Sequence, residues 1–216
     1  MRDVARARHQ PSVPLPHPPG APAAPPRTSG VLRVGENDAM PTIETARLTL
    51  REWRDEDLDP LAAMNADPEV MRYILDGEVR DRDQSAAGLQ KMIRDWRQQG
   101  FGLFAVQVRD TGALIGWAGL AVPTFLPEVL PAVEIGWRLS RAAWGHGFAT
   151  EAATAALRFG FDTIGLDRLI SIRHVENVRS ARVMAKLGLL QEFETVIPGF
   201  DQPVAVHARS AVPRLG

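Results

Sequence analysis

Hydrophobic and polar positions change period several times along the chain, and each change predicts an element. Residues 43–52 alternate, with Leu48 and Leu50 on one face, and predict a first strand. Asp55, Glu56 and Asp57 precede an apolar run over residues 58–64, which is how a helix with acids at its positive end begins. Asp67-Pro68 opens another helical turn through Val70, Met71 and Ile74. Residues 84–99 carry the period of an amphipathic helix. Leu89, Met92, Ile93 and Trp96 form its inward stripe, and Gly100 ends it. Residues 101–108 and 113–121 read as strands joined by a hairpin turn at Asp110-Thr111-Gly112. Residues 123–131 form a proline-bounded loop.

The second half repeats the alternation of strand and helix. Residues 132–139 are rich in β-branched and aromatic side chains and predict a strand; Gly136 inside it predicts a bulge or a close approach by something else. A helix opens near Phe148 and runs through Ala152, Ala153, Ala156, Leu157 and Phe161. Residues 167–175 predict a strand with Ile170, Ile172 and His174 on one face. A helix follows with Val178, Ala181, Met184 and Leu187 as its stripe, and Gly188 stops it. Residues 192–196 and 204–208 predict a closing antiparallel pair. Together these give an α/β layered domain: a mixed sheet with helices on both faces.

Between the strand ending at Leu139 and the helix lies Trp144-Gly145-His146-Gly147-Phe148-Ala149-Thr150-Glu151. Glycines ahead of a helix N-terminus leave backbone N–H groups free to converge on an anion, which the helix dipole also favours. Gly147, Ala149 and Ala152 are small enough for a phosphate to approach the backbone. A P-loop would require Lys-Ser or Lys-Thr after its last glycine, and Phe148-Ala149 stands there instead. A dinucleotide fingerprint requires its glycines directly after the strand, whereas residues 140–144 intervene; Asp167 at a ribose-binding distance is a weak match by itself. A plain tight turn before a helix is the structural alternative.

Composition narrows the classes. The chain has 216 residues and a net charge of −1, with no basic stripe that would argue for nucleic acid. It has no cysteine, which excludes disulfides, thiolate metal sites and a cysteine nucleophile. His9, His17, His146, His174 and His207 are too scattered for metal-ligand spacing, so no metal is expected. No apolar run reaches the length of a membrane span, and a cytoplasmic protein is expected. Residues 1–40 differ in kind. Pro and Ala dominate residues 11–26, which predicts a disordered tail of polyproline character without a signal-peptide core. The folded domain is expected over residues 41–212, and Met40 is a candidate natural start.

The run Thr45-Ala46-Arg47-Leu48-Thr49-Leu50-Arg51, then Glu134-Ile135-Gly136-Trp137, then residues 144–151, then Asn177-x-x-Ser180 and Lys186-Leu187-Gly188, occur in order and in register. In these segments the chain resembles the GNAT N-acetyltransferase superfamily over roughly residues 42–210, and within it the ribosomal-protein N-acetyltransferase (RimJ/RimL-type) branch. Trp144 stands where the superfamily often has Gln or Arg, a replacement common in that branch. Many members carry a tyrosine after the fifth strand as general acid; here the sole tyrosine is Tyr73, far upstream. Leu189 replaces a frequent Phe. The resemblance implies acetyl-CoA or another acyl-CoA as cofactor. It also implies a sheet splayed between the strand of Trp137 and that of Ile170, with the pantetheine arm lying along Trp137, Arg138 and Leu139. It further implies that Asn177 bonds that arm and that Ser180 approaches the sulfur.

Chemical need assigns further roles. The pyrophosphate falls to the backbone of Gly145, His146, Gly147 and Ala149, next to Trp144, with the Thr150 hydroxyl in reach. His146 adds charge if protonated or simply faces solvent. Lys186 reaches a ribose phosphate or only neutralises its helix C-terminus. Glu134 is the candidate general base: an amine near neutral pH is largely ammonium, and a desolvated carboxylate has a raised proton affinity suited to deprotonating it. The alternative is a glutamate that sees solvent or pairs with Arg138. Asn177 is equally explained as a helix N-cap. Ser180 is the candidate partner for the leaving thiolate.

The expected function is N-acetylation of a primary amine, on a protein N-terminus or a small molecule, by direct attack in a ternary complex. The acceptor is expected between residues 73–83, the 123–131 loop and the 196–203 loop. There Asp76, Glu78, Asp81 and Asp83 outnumber Arg80 and Arg82, which suits a cationic acceptor. A homodimer is allowed. Two other classes remain: a non-catalytic acyl-CoA-binding module, and an interaction protein that uses its Pro-rich arm.

Overall fold

The computed structural model describes residues 40–212. Residues 1–39 of the tail predicted over 1–40 lie outside them, and Met40, its last residue, packs on the core. Eight strands form one sheet in the order β1-β2-β3-β4-β5-β6-β8-β7. They are β1 (Ile43–Glu44), β2 (Leu48–Arg51), β3 (Leu103–Val108), β4 (Leu114–Ala121), β5 (Glu134–Leu139), β6 (Arg168–His174), β7 (Leu190–Ile197) and β8 (Gln202–Ser210). Every neighbouring pair is antiparallel except β5 and β6. The helices are α1 (Leu58–Asn65), α2 (Pro68–Met71), α3 (Arg82–Gln99), α4 (Phe148–Arg158) and α5 (Val178–Lys186).

Strand alternation sends successive side chains to opposite faces, and two buried clusters record it. Phe104 and Val106 join Leu48, Leu50, Ile135 and the α4 residues Ala152, Ala153, Ala156 and Leu157. Ala105, between them in sequence, faces the other cluster with Leu61, Met64, Val70 and Leu89 from α1, α2 and α3. The sheet is thus covered on both sides, as the sequence predicts. Alanines on the inner face of α4 allow its backbone to sit close to β4 and β5. Beyond Arg158 the helix widens into a π-type turn over Phe159–Thr163, closed by the Ile164 N–H to the Phe159 carbonyl at 3.0 Å.

Several local expectations are revised. The first predicted strand is two strands, because the chain bends at residues 45–47 and the Thr45 hydroxyl closes the bend by accepting the Leu48 N–H at 2.9 Å. Gly136 makes no bulge: β4 pairs with β5 in unbroken register from Gly116↔Leu139 to Ala121↔Glu134. Val178 is exposed rather than buried, so the inner stripe of α5 is carried by Met184 and Leu187. Asp57 also does more than favour a helix start. It is buried in a two-point pair with Arg51, both bonds 2.8 Å, and accepts the Arg54 N–H as well. That bonding holds the turn from β2 into α1, and the hydrogen bond to Asp57 raises the proton affinity of Arg51.

The order of the last strands positions the site. β8, the last in sequence, inserts between β6 and β7, pairing with β6 from Arg168↔Ser210 to His174↔Val204. β6 is therefore held firmly on one side. On the other side it meets β5 at one register pair, Glu134↔Ile170, and the two strands then part.

Candidate active site

The parting of β5 and β6 is built from side chains. The Ile170 N–H bonds the Val133 carbonyl at 3.0 Å, and the buried Ser171 hydroxyl donates to the Ile135 carbonyl at 2.8 Å. The next donor, the Ile172 N–H, bonds the Glu134 carboxylate at 3.3 Å instead of a backbone carbonyl. Past this point residues 136–139 have no strand partner on the β6 side among the described residues. Trp137 and Leu139 point toward the α4 core, while their free backbone edge lines the opening. An extended chain carrying amides could pair with that edge as a strand would.

Glu134 thus sits at the apex of the opening. Desolvation raises its pKa to about 7, against which the Ile172 N–H works only weakly. Arg138 does not neutralise it. The Arg138 Nη1 bonds Asn65 Oδ1 at 3.0 Å and lies 3.4 Å from Met71 Sδ, and the guanidinium stacks on Trp117. Pairing with Arg138, one alternative for Glu134, is excluded. Burial, with Arg80 nearby, lowers the Arg138 pKa to about 10, so it stays charged at neutral pH.

The glycine loop lies at the other end of β5. Gly145 and Gly147 have φ of 83° and 81°, left-handed values that side chains adopt only with strain. Gly147 is the N-cap of α4, and no side chain caps that helix. The Glu151 N–H bonds the Gly147 carbonyl; the preceding loop donors have no acceptor among the described residues. Open donors, positive φ and an exposed backbone at Gly145, His146 and Gly147 fit a pyrophosphate. Ala149 packs on the core, and His146 is exposed with its ring stacked on Phe148. Trp144 has a structural role: its indole N–H bonds the Leu139 carbonyl at 2.9 Å, and Arg179 of α5 stacks on its ring at 4.4 Å.

A cleft of about 800 Å³ along α4 brings together Gly147, Thr150 and Lys186, with Thr45, Thr154 and Arg158. It does not include Glu134, Asn177 or Ser180, so it runs beside the glycine loop and away from the β5–β6 parting. Asn177 caps α5 by accepting the Ser180 N–H at 3.1 Å. Its amide nitrogen and the half-buried Ser180 hydroxyl make no hydrogen bond to a described residue.

Two residues acquire roles only in the structure. Arg47 ties the phosphate loop to the β1–β2 bend. Its Nε and Nη2 reach the Glu151 carboxylate at 2.8 and 2.6 Å, its backbone N–H adds a bond at 2.9 Å, and its Nη1 bonds the His146 carbonyl at 2.9 Å. Partial burial opposes ionisation of Glu151, but hydrogen bonds from Thr45 and Arg47 prevail and hold its carboxyl below the usual range. Arg47 lies inside a recognisable sequence segment, yet nothing local names its partner 104 residues away. Tyr73 stacks on His174 at 5.1 Å, which brings the sole tyrosine to the end of β6 despite its distance in sequence.

The loops expected around the acceptor do converge: Leu75, Phe125, Leu126, Val129 and Ile197 share one apolar cluster with Ile170 and Ile172. Of the four acids expected there, Asp76 and Asp81 are engaged. Asp76 pairs with Arg80 at 2.7 Å, Asp81 caps α3, and Arg82 turns away to Asp59. Among the described residues no helix is long and apolar enough to cross a membrane.

The arrangement has known relatives. The family model described as Acetyltransferase (GNAT) domain matches residues 47–190. The N-acetyltransferase p20 of Bacillus licheniformis, itself uncharacterized, is 34% identical over 161 residues, covering 72% of this chain and 88% of that protein. The crystal structure of an acetyltransferase from Agrobacterium tumefaciens superposes with a TM-score of 0.69 at 25% identity, over 83% of this chain and 99% of the other. Spermidine N-acetyltransferase from Vibrio cholerae, solved with CoA and spermine, shares the fold at 22% identity and a TM-score of 0.63, over 77% of this chain and 96% of that one. A sheet parted between β5 and β6, with an uncapped glycine loop beside the parting, therefore has its explanation in ancestry: the chain belongs to the GNAT acetyltransferase family, whose members use acetyl-CoA.

Proposed function

We propose that residues 41–212 act as one acyltransferase domain that moves the acetyl group of acetyl-CoA to a primary amine. The observation that carries the mechanism is Glu134, a carboxylate with a pKa of about 7 at the one point where β5 and β6 still pair. Such a group is substantially ionised at neutral pH and basic enough to accept a proton from a bound ammonium, directly or through one water. The freed amine nitrogen bonds the acyl carbon, the C–S bond breaks, and sulfur leaves as thiolate, which takes up, directly or through a neighbouring hydroxyl, the proton that the nitrogen sheds as it becomes an amide. No residue carries the acyl group in between, since the chain has no cysteine and attack is direct.

The backbone donors of residues 145–149, with the Thr150 hydroxyl, hold the pyrophosphate, and Lys186 serves the ribose phosphate from the same cleft. The free edge of residues 137–139 holds the pantetheine amides, with the Asn177 amide nitrogen as a further donor. A backbone N–H near Trp137 or Arg138 polarises the carbonyl oxygen. Ser180, whose hydroxyl is uncommitted at the start of α5, meets the thiolate. Tyr73 is the second candidate for that proton, supported by its stacking on His174 at the end of β6. Trp144 and its neighbours support placement in the RimJ/RimL-type branch. A panel of amines with acetyl-CoA, read by thiol release and by the mass of the product, tests the reading. Acetylated product from at least one primary amine is expected, and thiol release equal to the enzyme-free blank with every amine would refute it.

A further inference from the structure

We infer that the acceptor carries a carboxylate beside its amine, as an amino acid does, and that Arg138 holds this acid on the face of β5 that also bears Glu134; this rests on the acyltransferase reading above. Glu134, Gly136 and Arg138 occupy alternate positions of β5 and so share one face. Gly136 puts no side chain between them. On the rise of a strand, about 3.3 Å per residue, the two Cα atoms are about 13 Å apart, and both side chains are long enough to converge on a compact molecule.

Arg138 has the bonding of a site waiting for an anion. Its Nη1 is engaged by Asn65 and Met71, which are neutral. Trp117 covers one face of the guanidinium. Its Nε is cut off from solvent, and neither Nε nor Nη2 bonds a described residue. The Nε–Nη2 edge, the side from which a guanidinium takes a carboxylate through two parallel hydrogen bonds, is therefore unpartnered among the described residues, and an acid completes that pair once the groups covering Nε shift. No carboxylate pairs with Arg138 among the described residues. A desolvated cation is costly unless paired, and a guanidinium does not escape by losing its proton at neutral pH. A second cation is close: the Arg80 backbone N–H bonds the Asn65 carbonyl at 2.9 Å. The Arg80 guanidinium is itself paired with Asp76 at 2.7 Å, so the charge an acid meets there is that of Arg138.

The test uses the full chain and matched probes: the amino acids, their carboxamides, the corresponding aminophosphonates, and simple diamines. At pH 7.5 the best amino acid is expected to exceed its own carboxamide by about 10- to 100-fold in kcat/KM, the size of a charge-assisted hydrogen-bonded pair. In Arg138→Gln that ratio should collapse toward one, while Arg138→Lys keeps the charge without the fork and should recover only part of it. Carboxamides, diamines or aminophosphonates outperforming the amino acids in the wild-type chain would overturn the inference, whether or not the variants fold. Binding is read separately, by calorimetry of N-acetyl amino acids and N-acetyl carboxamides in the presence of CoA. If no amine is turned over, the acyltransfer reading fails and this arm still decides the site. Tighter binding of the acid supports the carboxylate site, and equal binding removes it.

Discussion

The glycine loop and the apex of the β5–β6 parting at Glu134 lie at opposite ends of one strand and are built in opposite ways. The loop is nearly all backbone. Gly145 and Gly147 adopt left-handed φ, no side chain caps α4, and the donors lie open on the surface. The parting is nearly all side chain. Ser171, Glu134 and Arg138 each occupy a place where a sheet would ordinarily put a backbone bond or an apolar contact. The difference teaches that anchoring and chemistry are separable here. In the proposed mechanism an anion is held by dipoles that need no titratable group, whereas proton removal needs a carboxyl whose affinity is set by desolvation. Damage at one end should leave the other intact.

The strongest break is expected at the apex. Glu134→Gln keeps the shape and can still accept the Ile172 N–H, but cannot take a proton. Turnover should fall by about 10²–10⁴-fold at pH 7, roughly 3–5 kcal/mol of barrier, with acetyl-CoA affinity unchanged by calorimetry. The wild-type rate should rise with pH through about 7 and then level as the carboxyl ionises. The defect should shrink at high pH, where more amine is already neutral. Turnover within twofold of wild type at pH 7 would remove Glu134 from the mechanism. Ser180→Ala gives a contrast, because a defect in assisting the thiolate should persist at high pH.

The same carboxyl makes a prediction about stability. Its pKa of about 7 in the fold lies above the ordinary 4.5, so the folded state binds the extra proton between those values. Wild-type stability should therefore decline as pH rises through that window. Relative to wild type, Glu134→Gln should be equally stable below about pH 4. Above about pH 8 it should be more stable, by up to about 3 kcal/mol. Denaturant melts at the two extremes measure this, and a difference independent of pH would contradict the buried, raised carboxyl.

At the loop the effect should fall on binding. Gly147→Glu places a carboxylate where φ is 81° and where its first carbon lies 3.5 Å from the Arg47 guanidinium. It competes with Glu151 for Arg47 and repels the pyrophosphate. Acetyl-CoA at 100 times its dissociation constant should stabilise wild type by about 2.7 kcal/mol and this variant not at all. Retention of that thermal shift would move the cofactor away from the loop. The smallest effect belongs to the strut behind it. Arg47→Ala frees Glu151 and the His146 carbonyl, and because this pairing is partly exposed it should weaken acetyl-CoA by only about three- to tenfold. Affinity unchanged in titration would show that the loop holds its shape without Arg47.

Much of this was legible in the chain. The shape of the glycine loop could be read because it is local: left-handed turns, small residues and a helix start are adjacent in sequence. The two-sided burial of the sheet followed from strand alternation, and the cap at Asn177 from residue type and position, whereas the start of α3 at Arg82 behind the Asp81 cap lay ahead of the predicted one. The break in the first strand at Thr45 was not legible, because a hydroxyl closing a bend leaves no mark on hydrophobic period. Neither was the burial of Asp57, whose partner Arg51 looks like any charge on a strand.

By itself, then, the sequence determined the elements, the layer architecture, the anion loop and the candidacy of Glu134, since each follows from propensity and period over short stretches. Only the tertiary structure decided which side chains meet. It placed β8 between β6 and β7, held β5 and β6 together at one point, raised the Glu134 pKa by desolvation, brought Tyr73 onto His174 and Arg47 onto Glu151, and left the Nε–Nη2 edge of Arg138 without a partner among the described residues. The physical reason is that proton affinity, pairing and desolvation depend on neighbours in space, and a chain specifies those neighbours only through the packing of all its elements at once.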